Sequence, residues 1–284
     1  MNTTTGPYHV VEFPPARRYM ANILDLSSRK HCMYALLEVD VTAAKQYIED
    51  VKARTGELLS FTGYLTLCLA RAVDEDKTIQ AYRKGRKQLV MFDDVNVGLM
   101  IEQRVGERRV LTGHVIQGAN HKTYREIHRE IRAVQSNAKP PSAETLPWFR
   151  FAMGLPWPLP RLFSAMLGMA VRRDPTLVVS MTGTVGITAV GMFGEGQGGW
   201  GLFPGSHGLD LVVGSTAWKP AFVAGRIEPR EILNLTVVLD HELIDGAPAA
   251  RFARRLVELI ESGYGLGEDQ TPGARDTEPA RALV

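Results

Sequence analysis

Cysteine is scarce: Cys32 and Cys68 are the two in 284 residues. Two thiols are too few for a disulfide framework or a cysteine zinc site, and both are expected to be buried and free. Charge of one sign is missing as well. With 33 Lys and Arg against 31 Asp and Glu the formal charge is +2, which gives no case for a nucleic-acid partner. Long apolar runs are absent: the most apolar region, 146–171, is interrupted by Arg150, Pro156, Pro158, Pro160 and Arg161, so no membrane span is expected. The opening MNTTTGPYHVVEF lacks a basic region followed by an apolar core, so no signal peptide and a cytoplasmic location are expected. His9, His31, His114, His121, His128 and His207 show no spacing of a zinc site, and no metal is expected. His121 and His128 are expected on an exposed helix face. The glycine cluster GEGQGGWG at 194–201 has no Walker lysine and no strand-GxGxxG-helix setting. A flexible loop along a substrate channel is expected there instead.

What is present fits a soluble enzyme of mixed α/β class. At 45% hydrophobic and 23% charged, the chain can bury a core in one large domain or two small ones. Met33 to Val41 alternate like a strand, Thr42 to Arg54 read as a helix, and Phe61 to Val73 have the apolar density of a buried helix. Tyr124, Ile127, Ile131 and Val134 recur at helical spacing. From Leu177 onward strands dominate, ending in a helix at 249–261. No internal repeat is found, and the tail from Glu268, rich in Pro, Gly and charge, is expected to be disordered.

The stretch from Leu235 to Arg254, LTVVLDHELIDGAPAARFAR, carries the strongest chemical signal. Leu235 to Leu239 form a short β-branched apolar run, the mark of a buried strand. Beyond Asp245-Gly246, Pro248 suits a first helical turn, and Ala250, Phe252, Ala253, Leu256 and Ile260 recur at helical spacing. His241 therefore leaves a strand end held by rigid elements on both sides, where an imidazole can serve as general base. These residues alone leave a second possibility open, a hydrogen-bonded histidine with no chemistry. Asp245 likewise suits a helix-capping carboxylate.

The sequence Asp240-His241-Glu242-Leu243-Ile244-Asp245-Gly246 resembles the HxxxDG signature of the chloramphenicol acetyltransferase-like superfamily. It is closer still to the DHxxxDG of the catalytic domain of 2-oxoacid dehydrogenase dihydrolipoamide acyltransferases. Other blocks fall in the same order. PPARRYMA at 14–21 is similar to the family's opening basic helix, and TIQAYRKGRKQLV at 78–90 before Asp94-Val95-Asn96-Val97-Gly98 to its strand pair before the central strand. VIQGAN at 115–120 looks like its strand-to-helix crossover, TGTVGITAVGMFG at 182–194 like its glycine-rich strand and turn, and Asp210 to Gly214 precede the last strands. The resemblance runs from residue 10 to residue 265.

The resemblance implies a two-layer sandwich, a mixed sheet covered by helices, in one catalytic domain over 1–265 with a disordered tail at 266–284. Residues 142–174 depart from the family as an apolar insertion. A subunit contact is its favoured role, ahead of a lid over an acyl pocket or a membrane-surface element. The implied activity is acyl transfer between CoA and a thiol such as dihydrolipoamide, or another small acceptor. His241 is the implied base, Thr188 stands where the family's serine donates to the oxyanion, and Asp245 positions the histidine through Arg17, with Arg18 as fallback. Asp240 matches the acid of the signature, whereas Glu242 replaces its usual arginine. A homotrimer with the active site between subunits is implied, His241 from one chain and Thr188 from the next; a free trimer is expected rather than a cubic or icosahedral core. No lipoyl group is expected on this chain, so a lipoyl-bearing protein in trans is a candidate partner. The competing expectation is a catalytically silent homologue that serves the assembly of a dehydrogenase complex.

Overall fold

Apolar side chains at every second position commit CMYALLEVD to a strand with two unlike faces. In the computed structural model of the chain, which describes residues 6, 8–13, 17, 21, 24, 30–105, 108–136, 159–190 and 196–267, this is β1, Cys32–Asp40. Helix α1, Thr42–Thr55, ends where Gly56 takes the left-handed conformation at φ 75° and returns its N–H to Lys52 O. Helix α2, Phe61–Glu75, starts at Ser60, whose hydroxyl accepts the Gly63 N–H at 3.1 Å. A short hairpin follows, β2 (Tyr82–Lys84) against β3 (Gln88–Val90), then strands β4 (Val97–Val105) and β5 (Arg108–Ile116). Helices α3 (Tyr124–Ser136), α4 (Leu159–Arg173) and α5 (Thr176–Thr182) lead to β6 (Val185–Ala189), β7 (Leu209–Val223), β8 (Arg226–Asp240) and α6 (Gly246–Glu261).

The main sheet has the order β1-β8-β7-β6-β4-β5. The β7–β6 and β6–β4 pairs are parallel and the rest antiparallel, so the sheet is mixed, as expected. One face carries the core: Leu235, Val237 and Leu239 of β8, Leu209 and Leu211 of β7 and Ile187 of β6 join Leu65 and Leu69 of α2, Ile127 of α3 and Phe252 and Leu256 of α6. Leu256 is fully buried, which is worth roughly 2–3 kcal/mol to the fold.

The other face carries the alternate residues. Thr188, Val212, Thr236 and Leu36 lie opposite one another across four strands. Over this face runs the glycine-rich segment, expected to be a flexible loop. Its described part is instead pinned to the sheet: Gly199 O accepts the Ser215 N–H at 3.1 Å and Trp200 Nε1 donates to Leu37 O at 3.2 Å. Glycine is required for this approach, since a Cβ on Gly201 would stand 2.5 Å from a Val190 methyl carbon.

Three further expectations change. His128 is buried rather than exposed, its Nδ1 accepting the Ser60 N–H at 3.0 Å, because α3 turns this side toward α2; burial pushes its pKa down, opposed by Glu57. His121 belongs to a short 3-10 turn, Ala119–His121, and not to the helix. Asp210 to Gly214 do not precede the last strands but lie within β7. Cys68 is buried and Cys32 half-buried, both free. Arg18, most of the expected opening helix, 142–158 of the insertion and the tail from 268 lie outside the described residues.

Candidate active site

Strand β8 ends at Asp240, and His241 is the first residue of the turn that leads into α6. Two backbone bonds fix that exit. The Asp240 N–H donates to Gly208 O at 3.0 Å and the His241 N–H to His31 O at 2.8 Å. The Asp240 carboxylate closes the turn by accepting the Glu242 N–H at 3.1 Å. Asp240 O receives the N–H groups of Leu243 and Ile244. The His241 ring, half exposed, points an imidazole nitrogen outward from this rigid base: Nδ1 stands 4.0 Å from Asp245 Oδ1, an ion-pair distance too long for a hydrogen bond. Asp245 occupies the N-cap position of α6 and its backbone carbonyl takes the Ala249 N–H. Its side chain makes no cap bond and is 90% exposed.

Glu242 sits between two cationic or potentially cationic groups. Its carboxylate accepts from Arg83 Nη1 at 2.7 Å, on the β2–β3 hairpin, and lies 3.3 Å from His31 Nδ1. Arg83 thus neutralises the acid at position 242 from a segment distant in the chain. Arg17 is exposed and helical and makes no ion pair with Asp245 among the described residues.

Thr188 lies far from His241 within one protomer. It pairs with Val212, and Val212 with Thr236, five residues short of His241. At about 3.4 Å per residue and about 4.8 Å between strands, the two are roughly 20 Å apart. The Thr188 hydroxyl is half-buried and makes no hydrogen bond among the described residues.

A cluster that sequence reasoning passed over lies beside the turn. Asp210, at the start of β7 with its side chain 6% exposed, accepts the N–H groups of Ser206 and His207 on Oδ2 at 2.6 and 2.9 Å and faces His207 Nδ1 at 2.6 Å through Oδ1. Lys30 donates to the carbonyls of Ser206 and His207, both at 2.8 Å. Burial alone would raise the Asp210 carboxyl, but His207, through charge and hydrogen bonds, with Lys30 behind it, holds it below the ordinary aspartate value. The available signal was an aspartate three residues after a histidine at the head of an otherwise apolar strand, HGLDLVV. Among the described residues no group of three or more His, Cys, Asp or Glu is placed to hold a metal ion, and no helix is long and apolar enough to cross a membrane.

The model of the family described as 2-oxoacid dehydrogenases acyltransferase (catalytic domain) matches residues 5–144 and 167–266. The unmatched interval, 145–166, falls inside the apolar segment 142–174. The chain is 22% identical over 214 residues to the dihydrolipoyllysine-residue acetyltransferase component of the pyruvate dehydrogenase complex of Mycoplasma capricolum, covering 75% of this chain and 40% of that protein. It is 24% identical over 236 residues to the lipoamide acyltransferase component of the branched-chain alpha-keto acid dehydrogenase complex of Bacillus subtilis, covering 81% and 46%. The chain thus spans less than half the length of these curated relatives. Its fold is similar to the crystal structure of a probable dihydrolipoamide acetyltransferase from Listeria monocytogenes, with a TM-score of 0.65 at 19% identity over 93% of this chain and 97% of that one.

Proposed function

The chain belongs to the family of 2-oxoacid dehydrogenase acyltransferase catalytic domains, and from that premise we propose that it moves an acyl group between CoA and a thiol of dihydrolipoamide type, or another small acceptor, with His241 as general base. The observation that carries this is the position of His241, half exposed at a strand end whose backbone is fixed by Gly208 and His31. The imidazole takes the proton of the acceptor thiol and the sulfur attacks the thioester carbonyl carbon. A tetrahedral oxyanion forms, the bond to the CoA sulfur breaks, and the departing thiolate recovers the proton from His241.

The oxyanion needs a donor that the same protomer cannot supply from Thr188, given the separation of roughly 20 Å along and across the strands. A homotrimer supports both roles, the Thr188 hydroxyl of one subunit reaching the site of its neighbour; Thr188 makes no hydrogen bond among the described residues that would compete with this donation. Asp245, beside Nδ1, orients the imidazole, and Arg17 is the proposed partner of Asp245. A lipoyl arm is the proposed acyl carrier.

His241→Ala is expected to lower acyl transfer by on the order of 100-fold or more with the oligomer intact; unchanged turnover removes His241 from the mechanism. Thr188→Val is expected to cost roughly 10- to 1000-fold, whereas a loss below about threefold assigns the oxyanion donor elsewhere. A thermal shift on adding CoA provides the binding readout. No response to any acyl-CoA, to CoA or to lipoamide selects the silent assembly role instead.

A further inference from the structure

Both amides that fix the exit of β8 are received by residues adjoining the buried ionic cluster. Gly208, which accepts from Asp240, follows His207. His31, which accepts from His241, follows Lys30. Lys30 in turn joins these two segments by donating to the carbonyls of Ser206 and His207. Asp210 holds the same turn from the other side, taking the N–H groups of Ser206 and His207 and facing the His207 ring. The far nitrogen of that ring, Nε2, lies 3.0 Å from Thr182 O at the end of α5, so the turn is tied to the segment that feeds β6 as well. Space for the cluster comes from Gly186, where a Cβ would lie 2.0 Å from Asp210 Oδ1 and 2.6 Å from His207 Nδ1.

We infer that Lys30, His207 and Asp210 form an ionic brace that positions the backbone of residues 240–241, and with it the imidazole of His241. This rests on the proposal that His241 is the base; the three are positioning residues and touch no substrate. A buried ion pair is a poor source of net stability, because desolvating both charges offsets most of their attraction. Its strength is direction: two charge-assisted bonds from one ammonium fix two carbonyls that apolar packing would leave free to slide. A misplacement of about 1 Å at a reacting group costs on the order of 100-fold in rate, so a turn carrying a base has reason to be held this way. Around it, Glu242, Arg83 and His31 on the exposed side and Asp240 within the turn complete the charged surroundings.

The test compares wild type with Lys30→Met, Lys30→Arg and Asp210→Asn in steady-state acyl transfer and in native-state amide exchange read by NMR. Lys30→Met is expected to lower kcat by about tenfold or more with KM within about twofold, and Lys30→Arg to restore kcat to within about threefold of wild type. The Asp240 and His241 amides are expected to exchange faster in Lys30→Met and Asp210→Asn by at least about tenfold more than Leu235 and Val237, which report any loss of global stability. Unchanged exchange at 240 and 241, or a uniform acceleration along β8, overturns the brace. So does a kcat loss that comes without the local exchange change. His241→Ala, measured alongside, separates the two ideas: wild-type turnover there refutes the base, while the exchange data decide the brace independently of activity.

Discussion

At the residue scale, burial and partner decide what each ionisable group does. His241 is half exposed beside an aspartate at 4.0 Å, whereas His207, in the same region, is enclosed against Asp210 with its side chain 10% exposed. The sequence marked the first and passed over the second because a signature names a position, while enclosure depends on what distant segments place over it. Asp210 carries a stability prediction. Its carboxyl is held below the ordinary 3.8 of an aspartate, so the stabilisation it contributes is complete above that ordinary value and is lost as pH falls through the lowered native one. Asp210→Asn is therefore expected to cost about 3 kcal/mol at pH 7. The gap to wild type should close as the solution is acidified below the ordinary aspartate range. Chemical denaturation at a series of pH values measures this, and a gap that stays constant into acid shows that the charge is not what stabilises.

At the element scale, most strand and helix identities were legible but their ends were not, and Leu177 to Thr182, in the stretch expected to be dominated by strands, belong to helix α5. Leu235 to Leu239 read as a strand, yet β8 runs over Arg226–Asp240. Its outer half is half exposed and broken by Pro229, so neither apolar run nor clean alternation announces it. What extends it is pairing with β7, from Thr216 opposite Leu233 to Val223 opposite Arg226. The hairpin closes through Ala224 and Gly225 at φ 48° and 82°. Two positive φ values match the twist of antiparallel strands, and alanine is the wrong residue for the first. Ala224→Gly should raise stability by up to about 1 kcal/mol, or the thermal midpoint by about 2 °C. A fall in the midpoint on thermal unfolding would show that the alanine methyl makes a contact worth more than the strain.

At the scale of the whole molecule, the single chain leaves apolar surface that a monomer has no use for. Trp218, Phe222 and Ile227 project from the outer β7–β8 hairpin at 65%, 81% and 67% exposure, and Leu162, Met166 and Met169 line one side of α4. Surface of this kind marks association, and the proposed trimer gives it a partner. The double variant Phe222→Asp and Ile227→Asp is expected to lower the solution mass toward that of a monomer, read by light scattering on a sizing column, and to remove acyl transfer with it. An unchanged mass takes the hairpin out of the contact. The sequence by itself determined the mixed α/β class, the order of the main elements, and the turn from Asp240 to Gly246 on which His241 stands, because these rest on local periodicity and on residues adjacent in the chain. Tertiary structure alone decided that the glycine-rich segment lies pinned across the open sheet face, that His128 is buried, that Arg83 answers Glu242, and that Lys30 and Asp210 hold the same turn at 206–207 from two sides. Each of these joins residues distant in sequence, and a contact closed by folding leaves no periodic trace in the chain that makes it.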